Sequence, residues 1–325
     1  MSDPDPFSQC IGKYEVHPES YEFVQRVMSL GAKPYSELSV AEVRQQSARI
    51  APELTGPTEF LGSETEIIVP SPFSTNGIPV TVYKPELLSK VPAIFIFFHG
   101  GGLVIGSRDS YSTAVRKLCS SSGAIFLNVE YRLLPDPESP MAPFEDALVV
   151  TRWLLGNKEV VGGHTQSKVG VGGDSAGGHI SACVTNDICD LDFQVLVYPM
   201  TDITRSQPSF SEFTTTPGLT LDAINWFARH SIEHIPRAAE NPSVNPMVQR
   251  NVVQSPPALF VLAELDALRD CGLAYADKLR KVGVPVQCHV IKGVPHAFFH
   301  LCDVFKTKTA EAYAHIADFV KQFHQ

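Results

Sequence analysis

After residue 90 the chain carries six apolar runs of strand length, at 93–98, 124–130, 168–172, 193–198, 258–263 and 285–291. Longer stretches of helical character separate them, one following Arg108 and others near 143–155, 176–189, 270–282 and 304–323. Strands that are mostly apolar along their length are covered on both faces. Their alternation with helices predicts an α/β fold with a mostly parallel central sheet flanked by helices. Ahead of this rhythm, Glu64–Pro70 and Ile78–Tyr83 predict two further strands, with Ser74-Thr75-Asn76-Gly77 as the turn that pairs them antiparallel. Ser39-Val40-Ala41-Glu42 has the form of a capping box and predicts a helix through about Leu54. The stretch from Asp202 to Gln254 is rich in Pro, Ser, Thr and Asn and interrupts the strand rhythm. Its amphipathic centre, Leu221 to Ile232, holds Trp226 and Phe227. An insertion here is placed to cover a site on the sheet, with Trp226 itself read as core.

Composition narrows the class. With 325 residues, 44% hydrophobic and 19% charged, the chain has enough apolar material for one large globular domain spanning 1–325. A formal charge of −9 and the lack of any basic run argue against nucleic-acid or anionic-membrane binding, which call for concentrated Lys and Arg. Seven scattered cysteines, an odd number, read as reduced thiols. The opening Met1-Ser2-Asp3-Pro4-Asp5-Pro6 has neither a charged n-region nor an apolar h-region, and no stretch approaches the roughly 20 apolar residues of a membrane span. A cytoplasmic location is expected.

Gly173-Asp174-Ser175-Ala176-Gly177 follows the apolar run 168–172 and opens a helical stretch, which puts one serine on a sharp strand-to-helix turn. Flanking glycines relieve crowding there, and the first amides of the helix, beginning with Ala176, can meet an anion formed on a bound carbonyl. The motif reads as a nucleophile elbow. Alone it is weak, since a G-x-S-x-G string arises by chance in roughly one chain in ten of this length. The competing reading, a glycine-rich turn with a solvent-facing serine, falls only if partners are present.

The partners are found at other strand ends. The run 93–98 stops at His99-Gly100-Gly101-Gly102, a string expected by chance in only about one chain in several hundred. Its glycines let backbone amides approach a ligand, so Gly101 and Gly102 join Ala176 as candidate oxyanion donors. Asp266 follows the run 258–263 and is the candidate acid, preferred to Asp270, which reads as a helix cap. His296 follows the run 285–291 in a Gly- and Pro-punctuated loop and is the candidate base. His289, inside a strand pattern, and His300, at helical spacing beside Phe298 and Phe299, read as packing or surface residues. His164 and His179 carry no chemical role. His99 is read as bracing the glycine loop and Asp174 as bracing the elbow. Ligands on parallel sheets bind beyond the carboxyl ends of the strands, where His99, Ser175, Asp266 and His296 all fall.

Taken together, H-G-G-G at His99, G-D-S-A-G at Gly173, D-A-L-R-D at Asp266 and His296 thirty residues on resemble the hormone-sensitive lipase family of serine esterases. Tyr131-Arg132-Leu133-Leu134-Pro135 with Phe144-Glu145-Asp146-Ala147 resembles a further segment of that family, with Asp136 where the family has glutamate. The likeness runs from about residue 60 to the C-terminus and is of the arylacetamide deacetylase type, without the membrane anchor some members carry. It implies the α/β-hydrolase fold, a helical cap from about 1–60 plus part of about 200–250, and a Ser-His-Asp acyl-enzyme mechanism. The implied substrates are small or medium acyl esters, with amide deacetylation and acylglycerol hydrolysis within the family's range. No metal or organic cofactor is called for, and the expected partner is a small-molecule ester, with a homodimer compatible. The alternative is a non-catalytic small-molecule receptor on the same fold; such relatives lack the histidine that His296 supplies here.

Overall fold

The computed structural model describes residues 5–325. Residues 1–4, which belong both to the acidic N-terminal stretch and to the expected cap, lie outside the described residues. Among the described residues, eight strands form one sheet: β1 (Ser63–Ser71), β2 (Ser74–Lys84), β3 (Ile94–Phe98), β4 (Ile125–Val129), β5 (Val169–Asp174), β6 (Phe193–Val197), β7 (Ala258–Leu265) and β8 (Val286–Pro295). Their spatial order is β1-β2-β4-β3-β5-β6-β7-β8. β2 pairs antiparallel with both β1 and β4, and β4 through β8 run parallel. From β3 the chain steps to β4 on one side, then crosses back to β5 on the other. That reversal opens a crevice at the carboxyl ends of β3 and β5, the usual ligand position in open α/β sheets.

Among the described residues, nine α-helices accompany the sheet: α1 (Pro18–Ser29), α2 (Val40–Thr55), α3 (Arg108–Ser122), α4 (Ala142–Gly156), α5 (Ala176–Asp187), α6 (Ser209–Glu212), α7 (Leu221–His230), α8 (Arg269–Lys281) and α9 (Lys306–Lys321). The unbroken apolar strands are explained by burial on both faces. Phe95 and Phe97 of β3 pack with Leu118 of α3 and Ile316 of α9, whereas Ile94, Ile96 and Phe98 pack with Val150 of α4 and Ile180 of α5. α8 covers β7 through Tyr275 and Leu279 against Phe260 and Leu262.

The sequence-based elements hold with local corrections. Ser39 and Glu42 form the capping box that starts α2, the Ser39 amide donating to Glu42 Oε2 at 2.8 Å. The β1–β2 reversal falls at Pro72-Phe73, with Ser71 paired to Ser74, so Ser74–Gly77 is not the turn. Those residues begin β2 as a bulge, and Gly77 at φ +70° permits it: a Cβ there would stand 2.7 Å from the Val69 carbonyl oxygen. Asp270 does not cap α8, which begins one residue earlier at Arg269; its carboxylate instead accepts the Ser209 amide and the Arg269 guanidinium. The insertion between β6 and β7 holds α6, α7 and three 3₁₀ turns. All seven cysteines are unpaired, and no helix among the described residues is long and apolar enough to cross a membrane.

The sheet meets the crevice through a contact that only glycine permits. A Cβ on Gly173 would lie 1.9 Å from the Phe98 carbonyl oxygen, and one on Gly177 would lie 1.8 Å from the same atom. Both clashes are with backbone, so no side-chain adjustment relieves them. Gly177→Ala is therefore expected to destabilise the fold by at least about 2 kcal/mol in urea unfolding, because the end of β3 must move away from α5.

Candidate active site

Strand β5 ends in a turn that holds Ser175 at φ +52° and ψ −114°, a strained backbone for any residue with a side chain. The turn persists because its surroundings fix it. The Ser175 amide donates to the Val197 carbonyl at 2.9 Å, and Gly173 and Gly177 let α5 press against the end of β3. At the tip, Ser175 Oγ lies 2.9 Å from His296 Nε2, and His296 Nδ1 lies 2.7 Å from Asp266 Oδ2. Asp266 is fully buried and its other oxygen accepts the Leu268 amide at 2.9 Å. An ionised carboxylate only accepts, so His296 Nδ1 carries the proton and Nε2 presents a lone pair to the serine hydroxyl. Asp266, rather than Asp270, faces His296.

The glycine loop after β3 runs through the left-handed region in three successive residues, Gly101 at φ +118°, Gly102 at +59° and Leu103 at +66°. Its turn closes with the Ile105 amide donating to the Gly101 carbonyl. Among the described residues, the amides of Gly101, Gly102 and Ala176 donate to no protein acceptor. Gly102 lies under the Phe227 ring, where a Cβ would come within 2.3 Å of the aromatic carbons.

Asp174, next to the serine, ties the two loops together. One oxygen accepts the Gly100 amide at 2.9 Å; the other accepts the hydroxyls of Tyr111 at 3.0 Å and Tyr198 at 3.3 Å. Burial raises its carboxyl to about 6, against the lowering effect of the Tyr111 hydrogen bond and the nearby His296. His99 is buried with its ring stacked on Tyr131, 4.3 Å between centroids, and the Tyr131 hydroxyl donates to the His99 carbonyl at 2.7 Å. Neither Tyr111 nor Tyr198 carries a local sequence signal, since each reaches Asp174 only through the tertiary fold.

Ser175, His296, Ala176 and the glycine loop share one cavity of about 520 Å³. Its walls come from α1 and α2 on one side, including Val27, Ile50 and Leu54, and from α7 on the other, including Ile224, Phe227 and Ala228. Trp226 faces away and is buried, its indole N–H donating to the Leu38 carbonyl at 3.3 Å. The remaining histidines take no part in the relay, although His179, one turn into α5, also lines the cavity and its amide donates to the Ser175 carbonyl. His289 stacks on His315, His179 meets the Val244 carbonyl, and His164 accepts the Gln166 amide within its own turn. His300, read from sequence as packing or surface, lines the cavity.

A serine activated by a carboxylate-oriented imidazole, beside unengaged amides and under a largely apolar roof, is the apparatus of a serine hydrolase. The family model for the alpha/beta hydrolase fold matches residues 95–300. An ethyl acetate hydrolase of Pseudomonas putida is 33% identical over 239 residues, covering 71% of this chain and 74% of that protein. Carboxylesterase NlhH of Mycobacterium tuberculosis is 35% identical over 219 residues, covering 65% and 68%. Among solved structures, a hyperthermophilic esterase of Pyrobaculum calidifontis superposes with a TM-score of 0.84 at 30% identity, covering 94% of this chain and 98% of that one. The chain belongs to the α/β-hydrolase family, in its hormone-sensitive lipase branch, and is a carboxylesterase-type serine hydrolase.

The buried Asp174 carboxyl makes a pH prediction. Its folded value of about 6 lies above the ordinary value of 3.8, so the unfolded chain gives up this proton first and the group's contribution to stability falls as pH rises from about 4 to about 6. Asp174→Asn lacks this titration. Urea unfolding of both proteins is expected to show wild-type stability, relative to the variant, declining across that window and level above it.

Proposed function

We propose that this protein hydrolyses small to medium acyl esters through a covalent acyl-serine. In this reading the Ser175 hydroxyl attacks the ester carbonyl while its proton passes to His296 Nε2. Asp266 holds the imidazole in the required tautomer and stabilises the imidazolium that forms. The developing oxyanion is held by the amides of Gly101, Gly102 and Ala176, and the loss of one such donor typically costs about 10²–10³ in rate. His296 then gives its proton to the departing alkoxide oxygen. In the second step it takes a proton from water as the oxygen attacks the acyl carbonyl, and returns one to Ser175 as the acid leaves.

The observation that carries this reading is the unbroken relay of 2.9 Å and 2.7 Å from Ser175 through His296 to Asp266, opening onto a cavity. The same relay favours turnover over simple retention of a ligand, because a receptor has no use for an activated serine. We assign His99 and Asp174 to bracing the loops, and we assign the segments within 1–60 and 200–250 that line the cavity to a cap that excludes water and sets substrate size. A cavity of about 520 Å³ lies within the usual range for small-molecule sites, about 300–1,000 Å³.

Treatment with a fluorophosphonate probe is expected to label Ser175 alone, and hydrolysis of p-nitrophenyl butanoate is expected to fall at least about 10⁴-fold in Ser175→Ala and in His296→Ala. Labelling at another residue, or a Ser175→Ala protein that still turns over, contradicts the reading. Across a p-nitrophenyl ester series, kcat/KM is expected to peak at acyl chains of about four to eight carbons, as a cavity of this class implies; a peak at sixteen carbons contradicts the assigned size range.

A further inference from the structure

His300 lies four residues beyond His296 and takes no part in the relay. Its ring stacks on Tyr111, with centroids 4.6 Å apart and planes 25° from parallel. It lines the cavity on the side formed by Phe23, Ile50, Leu54 and Leu301, which belong to the same apolar cluster as Tyr111. Nδ1 is sealed in the protein without a hydrogen-bond partner. Nε2 has no protein partner among the described residues either, but it is not sealed, and the ring borders the cavity.

The protonation of this ring follows from its surroundings. Burial, reinforced by His296 and His99, pushes its pKa down to about 3, so the ring is neutral near neutral pH. A neutral imidazole holds one N–H. On Nδ1 that proton would be a buried donor without an acceptor, a state proteins rarely tolerate, whereas a bare acceptor is the lesser cost. The proton therefore sits on Nε2, the unsealed nitrogen of a ring that borders the cavity. A hydrogen-bond donor in a mostly apolar wall is the kind of group that orients a ligand and selects among ligands.

We propose that His300 is a specificity-determining residue whose Nε2–H donates a hydrogen bond to a second oxygen of the substrate, apart from the carbonyl under attack. The site then selects esters carrying an ether, keto or further ester oxygen over their hydrocarbon counterparts. This rests on the reading of Ser175 and His296 given above.

The test uses two isosteric pairs followed in a pH-stat. Methyl 3-methoxypropanoate against methyl pentanoate places the extra oxygen on the acyl side; 2-methoxyethyl acetate against butyl acetate places it on the alcohol side. Intrinsic reactivity cancels when the kcat/KM ratio within a pair is compared between wild type and His300→Phe, which keeps a ring for the stack on Tyr111. The ratio is expected to fall by about 3- to 10-fold in one pair, the effect of one neutral hydrogen bond, and the pair affected identifies the side of the ester that His300 reads. His300→Gln, which keeps a donor, is expected to restore part of the ratio. A readout without substitution at His300 is ¹⁵N-histidine NMR of the Ser175→Ala protein. There the His300 Nε2 resonance is that of a protonated nitrogen and shifts with one methoxy ester but not with its hydrocarbon partner. Ratios unmoved in both pairs, or a proton found on Nδ1, overturn this inference alone. A wild-type protein that hydrolyses none of the four esters overturns the site reading and this inference with it.

Discussion

The Phe98 carbonyl oxygen packed against two bare glycine α-carbons is the contact on which the site depends. Gly173 and Gly177 lie on either side of the serine, and a methyl group on either would occupy the space of that oxygen. Their absence lets β5, α5 and the end of β3 approach closely enough for two loops, more than 70 residues apart in sequence, to form one site. The Gly100 amide on Asp174 then locks the loops in register. The strained backbone of Ser175 is tolerated for the same reason: the contacts around it leave the turn nowhere else to go.

Two buried carboxylates divide the work around this contact. Asp266 is engaged by His296 and by the Leu268 amide, and in the proposed mechanism it fixes the direction in which the imidazole accepts a proton. Asp174 is engaged by two tyrosine hydroxyls and an amide, and it acts on the backbone instead. The walls of the cavity are tied to the same loops. The Gly293 carbonyl, three residues before His296, accepts both the His17 amide and the Ser20 hydroxyl at the start of α1. Arg269, three residues after Asp266, bonds Tyr14 and Glu212 and lies over the Phe213 ring, joining the N-terminal segment to the insertion. Cavity-lining elements and the loops that carry Asp266 and His296 are thus held by shared anchors, so changes at these anchors bear on both pocket shape and the proposed relay.

The strand rhythm, the glycine strings and the positions of Ser175, Asp266 and His296 after strands were legible in the chain because the features involved are local. Apolar runs mark strands buried on both faces, and the glycine strings mark backbone that must bend or approach closely. The failures are equally physical. Ser74–Gly77 looks like a turn because Asn and Gly favour positive φ, but the positive φ of Gly77 serves a bulge while Pro72-Phe73 makes the reversal. Helix α1 went unread although Pro18 at its first position and Phe23, Val24 and Val27 on one face were available as signals. Asp270 looked like a cap because it precedes a helical run, yet the helix starts before it. Tyr111 and Tyr198 on Asp174, the contact of Phe227 with Gly102 within the insertion expected to cover the site, and the cavity-lining place of His300 were not legible in residue detail. Each depends on a meeting of distant segments that no local pattern encodes.

The most direct measurement of the central claim is a crystal structure of the protein after reaction with an organophosphonate, whose tetrahedral phosphorus imitates the intermediate of ester hydrolysis. The account predicts phosphorus bonded to Ser175 Oγ and one phosphonyl oxygen about 2.7–3.1 Å from the amide nitrogens of Gly101, Gly102 and Ala176, with the Phe98 carbonyl still seated against Gly173 and Gly177. A phosphonyl oxygen turned away from those amides, or an adduct on any other residue, would contradict it.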